Sequence, residues 1–354
     1  MNLLDKKTNA IDENLSNLLE DIAHTPKDKK VVVKFADVIK KYFQSVYLFE
    51  ERIKHFENNY DVLINEFNKH QRKFISEAFG FENNMRSHIV QKRMRELFIS
   101  ALGEYIFESP IVKRAYEKPR GYPGDHLIFE MIYNNECARD GIGFFLDKWI
   151  LNHTLTRGVV YRKNKIKKIL KELIGNNRHA IDVLNIGCGS SREVRELISD
   201  KKMNVENVYF SCLDQDDEAL NLSRKLTMEI NRHVHISFKK QDILSICLNR
   251  RRNHISKKDI IYSIGVADYF LNTTLENFIR YSFDLLKPNG KLIIPLCSAH
   301  NPRLYVPLRW FCEWFFYYHN ETDMRKYIKD ELGIKKVKTI WEKRTPFFFV
   351  MIEK

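Results

Sequence analysis

From Ala180 onward, short β-rich runs alternate with amphipathic helical stretches, a rhythm that few folds accommodate. The runs are AIDVLNI, NVYFSCLD, HISFKKQD, DIIYSIG and KLIIPLC. Between them Val194, Leu197 and Ile198, then Leu222, Leu226 and Ile230, then Leu275, Phe278, Ile279 and Leu286 recur at helical spacing. Nearly continuous apolar strands separated by such helices specify a parallel sheet covered on both faces. LLKPNGKLII stops the last helix at Pro288 and turns through Asn289-Gly290 into a strand. At the end KVKTIWE and FFFVMIE, joined by KRTP, predict an antiparallel hairpin that closes the sheet.

The first hundred residues have a different texture. Ile11, Leu15, Leu18, Leu19 and Ile22 share one helical face. After the break HTPKDKK, a longer pattern from Val31 to about Phe67 carries Phe35, Val38, Ile39, Phe43, Ile53 and Phe56. No catalytic constellation appears there, so a helical scaffold or a pairing arm for a homodimer is expected. The domains read as a helical region over 1–100, a helical connector over 101–164 and an α/β domain over 165–354.

Bulk properties exclude several classes. No stretch approaches the roughly 18–20 apolar residues of a membrane helix, and MNLLDKKTNAIDENL lacks the apolar core of a signal peptide. A cytoplasmic location is the expectation. The six cysteines are scattered without a CxxC pair or a Cys/His cluster, so neither a metal nor a disulfide framework is expected. The net charge of +13, concentrated partly in RRRNHISKK over 250–258, suits nucleic acid, an anionic membrane or an acidic carrier protein, and equally a solvated surface.

The chemistry concentrates in VLNIGCGSSREVREL, residues 183–197. A buried strand runs into Gly187-Cys188-Gly189 and then a helix, so the backbone turns tightly with no Cβ in a ligand's way. A dinucleotide site wants glycine at the sixth position of that loop, where this chain has Arg192. Glu193 then opens the helix, which disfavours phosphate and tolerates a cationic ligand. The next strand ends in CLDQDDEAL, placing Asp214 beside Gln215 as an acceptor for ribose hydroxyls. QDIL places Asp242 and Ile243 at the adenine, and Ser263 ends the following strand. Singly, each acid is more often a strand-end cap or a surface charge. Together they lie on the carboxyl edge of the sheet, where a switch point places a ligand.

VLNIGCG, LDQDDEAL, QDIL and LLKPNGKLII together resemble the class I, Rossmann-like methyltransferases, over roughly residues 165–354. Ser191 stands where many members have a third glycine. The resemblance implies a Rossmann-like seven-stranded, mostly parallel α/β sheet with S-adenosyl-L-methionine as cofactor. A narrower likeness, in KPRGYPGDHLIFEMIY, FFLDKWILN and SAHNPRLYVPLRWFCEWFFYYHNETDMRKYI, is to bacterial proteins that make methyl esters of 3-hydroxy fatty acids, the extracellular factor methyltransferases. It implies that the segment before the α/β domain folds back over the cofactor. The stiff turn RGYPGD is then a lid, with Tyr122 or Asp125 at the methionine end and Arg120 on a carboxylate. The other reading is a structural turn in which Asp125 caps the helix HLIFEMIY.

The acceptor is the open end of the sequence. A carboxylate acceptor is already ionised, whereas a hydroxyl needs a base. Candidate catalytic residues are Asp268, Tyr269 and His300, and His300 is equally an ordinary loop histidine. Trp310, Phe311, Trp314, Phe315 and Tyr318 form a helical stripe, which is usually core. It is otherwise a wall for an acyl chain, with Arg303 holding the acid head. An RNA or protein methyltransferase is the rival, although YSIGVADYF lacks the Asn/Asp-Pro-Pro-Tyr signature. A binding protein for the cofactor without turnover is the third reading. A small or acyl substrate, free or carrier-bound, is expected over nucleic acid.

Overall fold

A computed structural model describes residues 3–21, 26–55, 60–175, 179–230, 233–248, 255–341 and 345–354. Ile22, Phe56 and most of the basic run at 250–258 lie outside the described residues. Its contacts divide the chain into two units. The first comprises Met1–Gly124, Asn134–His153 and Pro302–Trp314, and the second comprises Asp125–Tyr133, Thr154–Asn301 and Phe315–Lys354. The division therefore falls inside the expected connector, at the end of the glycine-rich turn.

The first unit is helical. It contains α1 (Leu3–Asp21), α2 (Pro26–Ile53), α3 (Tyr60–Asn84), α4 (His88–Ile106), α5 (Pro110–Glu117), α7 (Gly141–Asn152) and α13 (Val306–Cys312). Ser87 and Ser109 start α4 and α5 by accepting from Val90 N and Val112 N, satisfying donors a helix start leaves open. The apolar face of α1 buries Ile11, Leu15 and Leu18. The long pattern from Val31 is two helices, because α2 ends at Ile53 and α3 begins at Tyr60. Phe35, Phe74, Phe81 and Phe98 make an aromatic core whose centre is Trp310 on α13, fully buried.

The second unit holds α6 (His126–Asn134), α8 (Thr154–Gly175), α9 (Arg192–Ser199), α10 (Asp217–Met228), α11 (Ile243–Leu248), α12 (Asn272–Asp284) and α14 (Glu321–Asp330) around one sheet. Its strands are β1 (Ile181–Ile186), β2 (Val208–Asp214), β3 (His235–Lys240), β4 (Lys258–Tyr262), β5 (Leu286–Cys297), β6 (Val337–Trp341) and β7 (Phe347–Glu353). Their order is β3-β2-β1-β4-β5-β7-β6, with β7 antiparallel to both β5 and β6. This is the seven-stranded, hairpin-closed sheet that the alternation predicts. Leu286, expected on the last helix, opens β5 instead.

Successive strand residues serve opposite faces. Val183, Ile260, Tyr262 and Ile293 pack with Ile166, Leu170, Val194 and Leu197 of α8 and α9. Leu184, Ile186, Ile261 and Leu292 pack with Phe278, Ile279 and Ile328 of α12 and α14. Strand order reverses between β1 and β4, so the carboxyl ends of those strands open a crevice. Among the described residues no helix is long and apolar enough to cross a membrane, and no group of His, Cys, Asp or Glu could hold a metal ion.

Candidate active site

The loop leaving β1 turns with Gly187 at φ +70° and Gly189 at φ +51°. Both Gly187 N and Cys188 N donate to Leu213 O, fastening the loop to the end of β2. A Cβ on Gly187 would lie 2.1 Å from Val266 Cγ2 and 3.3 Å from Ile243 Cδ1, so the loops after β1, β3 and β4 meet there. Ser191 takes φ +51° where a third glycine is common, so its left-handed backbone survives without the glycine. The Cys188 side chain turns into the protein against Cys212 and Leu220, and burial raises its thiol pKa.

Asp214 is 7% exposed at the end of β2 and spans two loops. Its Oδ2 accepts from Gly189 N at 2.7 Å and its Oδ1 from Asp216 N at 2.9 Å. Burial raises its pKa, opposed by those two backbone donors. Each oxygen keeps a lone pair, so the carboxylate can hold the loop and still accept from a ligand hydroxyl. Gln215 and Asp242 are exposed. Asp242 Oδ1 caps α11 by accepting from Leu244 N at 2.9 Å, and Ile243 is buried beside Gly187. Ser263 is fully buried at the end of β4, and its Oγ has no hydrogen-bond partner.

Glu193 departs from the expectation that it sets the loop's electrostatics. Its carboxylate is buried and accepts from Asn185 Nδ2 at 2.9 Å and Tyr262 OH at 2.8 Å. Burial raises its pKa, so it contributes a hydrogen-bonded link between β1, β4 and α9.

The sequence placed α6, as the helix HLIFEMIY, but gave none of its side chains a role at the site. Asp125 Oδ1 caps it by accepting from Leu127 N and Ile128 N at 3.1 Å each. That is the structural role the sequence offered for this residue beside the lid role. Arg120 and Tyr122 belong to the first unit. His126 and Glu130, four residues apart on one face of α6, both reach the glycine loop's surroundings. Glu130 accepts from Ser190 Oγ at 2.5 Å and pairs with Arg192 at 2.8 Å and Arg195 at 2.5 Å. The His126 Cβ lies 4.0 Å from where a Gly189 Cβ would stand, and its Nδ1 lies 3.5 Å from Asp216 Oδ2. Their i, i+4 spacing on the helix HLIFEMIY is the sequence signal that pairs them.

The expected catalytic residues are not gathered at one point. Asp268 is completely buried, accepting from Cys297 N at 2.7 Å and pairing with Arg162 at 3.2 Å. Such commitments make it a structural anchor for the segment after β4. Tyr269 is half-buried with its ring 5.3 Å from that of Phe316. His300 is exposed and lies against Trp341 of β6, ring centroids 4.9 Å apart. Four strand spacings separate β6 from β1, roughly 19 Å at about 4.8 Å each. His319, absent from the sequence reading, is buried with Nε2 unpartnered, and burial lowers its pKa.

The aromatic stripe is also redistributed. The helix stops at Cys312 because Glu313 takes a left-handed backbone, φ +46°, so residues 313–318 do not continue it. Trp310 donates from Nε1 to Glu82 at 3.0 Å within the first unit's core. Trp314 is buried against Gly124, which has no Cβ to displace it. Arg303 is exposed in the first unit. Within the second unit, Phe315 and Tyr317 are about half exposed, and Tyr317 N donates to Asp268 O at 2.9 Å.

Strand order, the β1 glycine loop and the acid at the end of β2 give this domain the Rossmann-like fold that class I methyltransferases have. Residues 177–345 match the family model described as a methyltransferase domain. The cofactor of that class is S-adenosylmethionine, and the site's features fit it: a loop without Cβ at Gly187, a carboxylate at the end of β2 that keeps acceptor capacity at Asp214, and the unpartnered buried Ser263 Oγ. Among solved structures, a possible exported protein from Bordetella parapertussis shares the fold over 94% of this chain and 99% of its own, with TM-score 0.55 at 13% identity. A magnesium protoporphyrin IX methyltransferase from Synechocystis PCC 6803, solved with bound SAH, aligns over 70% of this chain and all of its own, with TM-score 0.46 at 17% identity. No curated protein has a matching sequence.

Proposed function

We propose that the chain is an S-adenosylmethionine-dependent methyltransferase that delivers methyl to an oxygen of a small fatty-acyl substrate, with a carboxylate as acceptor. When bound, the cofactor supplies a methyl group activated by a sulfonium. The protein's work is then alignment and exclusion of water. Asp214 and the glycine loop hold the nucleoside, while Val266 and Ile243 close the floor beneath it.

The observation that favours a carboxylate is the engagement of Asp268. Arg162 and Cys297 N–H occupy its two oxygens, and His300 stands beside the far strand. An acceptor that arrives ionised needs neither as a base. The aromatic segment Phe315–Tyr318 runs beside Tyr269 in the same unit and offers apolar surface next to the segment that starts at Val266. This replaces Trp310 and Trp314 as the candidate acyl contact.

The test supplies purified protein with methyl-labelled S-adenosylmethionine and a series of fatty and 3-hydroxy fatty acids, then follows label and S-adenosylhomocysteine together. Labelled methyl esters formed in step with the homocysteine product are expected. Label in RNA or protein, with none in the acids, would overturn the acceptor.

A further inference from the structure

We propose that α6 contributes a direct ligand for the cofactor's ribose, His126, so that the diol is held between a carboxylate from β2 and an imidazole from α6. This rests on the methyltransferase reading and adds a binding residue to it. Two observations carry it. First, His126 lies against Gly189, whose own N–H is bonded to Asp214, the ribose-side acid. Second, His126 is 5% exposed and its Nδ1 has no hydrogen-bond partner, being 3.5 Å from Asp216 Oδ2 in a geometry that makes no bond.

A buried ring nitrogen that makes no hydrogen bond is costly unless something hydroxylic completes it. A vicinal diol has the required chemistry. One hydroxyl donates to the carboxylate of Asp214 and accepts from an imidazole N–H, which neither an ammonium nor a carboxylate ligand does. The Glu130 bonds to Ser190, Arg192 and Arg195 hold α6 one turn further along and fix where the imidazole stands.

The experiment is a thermodynamic cycle by calorimetry with S-adenosylhomocysteine and its 2′-deoxy and 3′-deoxy analogues, on wild type, His126→Ala and His126→Gln. Loss of one hydrogen bond predicts about a tenfold weaker Kd for His126→Ala. The penalty for removing one of the hydroxyls should be large in wild type and shrink to under about threefold in His126→Ala. His126→Gln, which retains a donor, should recover part of the affinity. An unchanged Kd in His126→Ala overturns the proposal. So does a deoxy penalty equal in wild type and variant, because a residue that merely docks α6 would weaken all three ligands alike. Wild type that binds none of the three overturns the methyltransferase reading itself, and is read before any variant is made.

Discussion

Arg162 Nη1 and Asp268 Oδ2 stand 3.2 Å apart with both residues shut away from solvent, at 4% and 0% exposure. The Arg162 guanidinium also lies over the Phe347 ring at 4.6 Å, and its Nη2 stands 2.7 Å from where a Gly265 Cβ would be. One buried pair thus ties α8 to the segment that follows β4. Removing one partner leaves the other charge buried, which costs about 3–5 kcal/mol. We predict that Asp268→Ala lowers unfolding free energy by that order in urea titrations. A variant as stable as wild type, yet inactive, would return Asp268 to the list of catalytic groups.

Gly187 and Gly189 should respond differently to alanine. Both have positive φ, which costs a non-glycine residue roughly 1–2 kcal/mol. Only at Gly187 would the new methyl collide, 2.1 Å from Val266 Cγ2. We predict that Gly187→Ala weakens cofactor binding and stability more than Gly189→Ala, and that Val266→Ala partly restores it. Equal effects of the two alanines, measured by calorimetry and thermal melting, would contradict this packing.

The strand rhythm announced the sheet because strands buried on both faces read as nearly continuous apolar runs between helices. The place of Asp214 at the end of its strand, on the carboxyl edge of the sheet, was legible from the same runs. Trp310 and Phe311 were not, because a helical aromatic stripe looks the same facing a core or a pocket, and only Glu313's backbone decided where the helix ends. The burial and pairing of Asp268 were not legible, because its partner, Arg162, is distant in sequence and lies in a helix that carries no motif. The roles of His126 and Glu130 were not legible because their neighbours, Gly189, Ser190, Arg192 and Arg195, lie some sixty residues further along the chain.

Glu130 is the clasp of α6. Glu130→Gln keeps the shape but removes the charge that pairs with Arg192 and Arg195. We predict faster amide exchange confined to 126–134 and the start of α9, corresponding to a loss of about 1–3 kcal/mol of local protection. Unchanged exchange in those helices would show that the ion pairs do not hold α6.

Asp147 gives the first unit a pH dependence. It is fully buried, accepts from Ser109 Oγ and from Ala138 N, and burial pushes its pKa up to about 6. For an acid whose folded pKa is raised, the folded state binds more protons than the unfolded one between about 4 and 6. Its contribution is therefore complete below about pH 4 and is lost as pH rises through 6, by roughly 3 kcal/mol. We predict that wild type loses this stability relative to Asp147→Asn across that interval in urea titrations. Parallel pH curves would contradict it.

The most direct measurement is calorimetry of S-adenosylmethionine with wild type and Asp214→Ala. A saturable heat of binding in wild type, with affinity at least about tenfold lower in a folded Asp214→Ala, is the predicted result. No binding by well-folded wild type, or equal affinity in the variant, would contradict a nucleoside held between the glycine loop and Asp214.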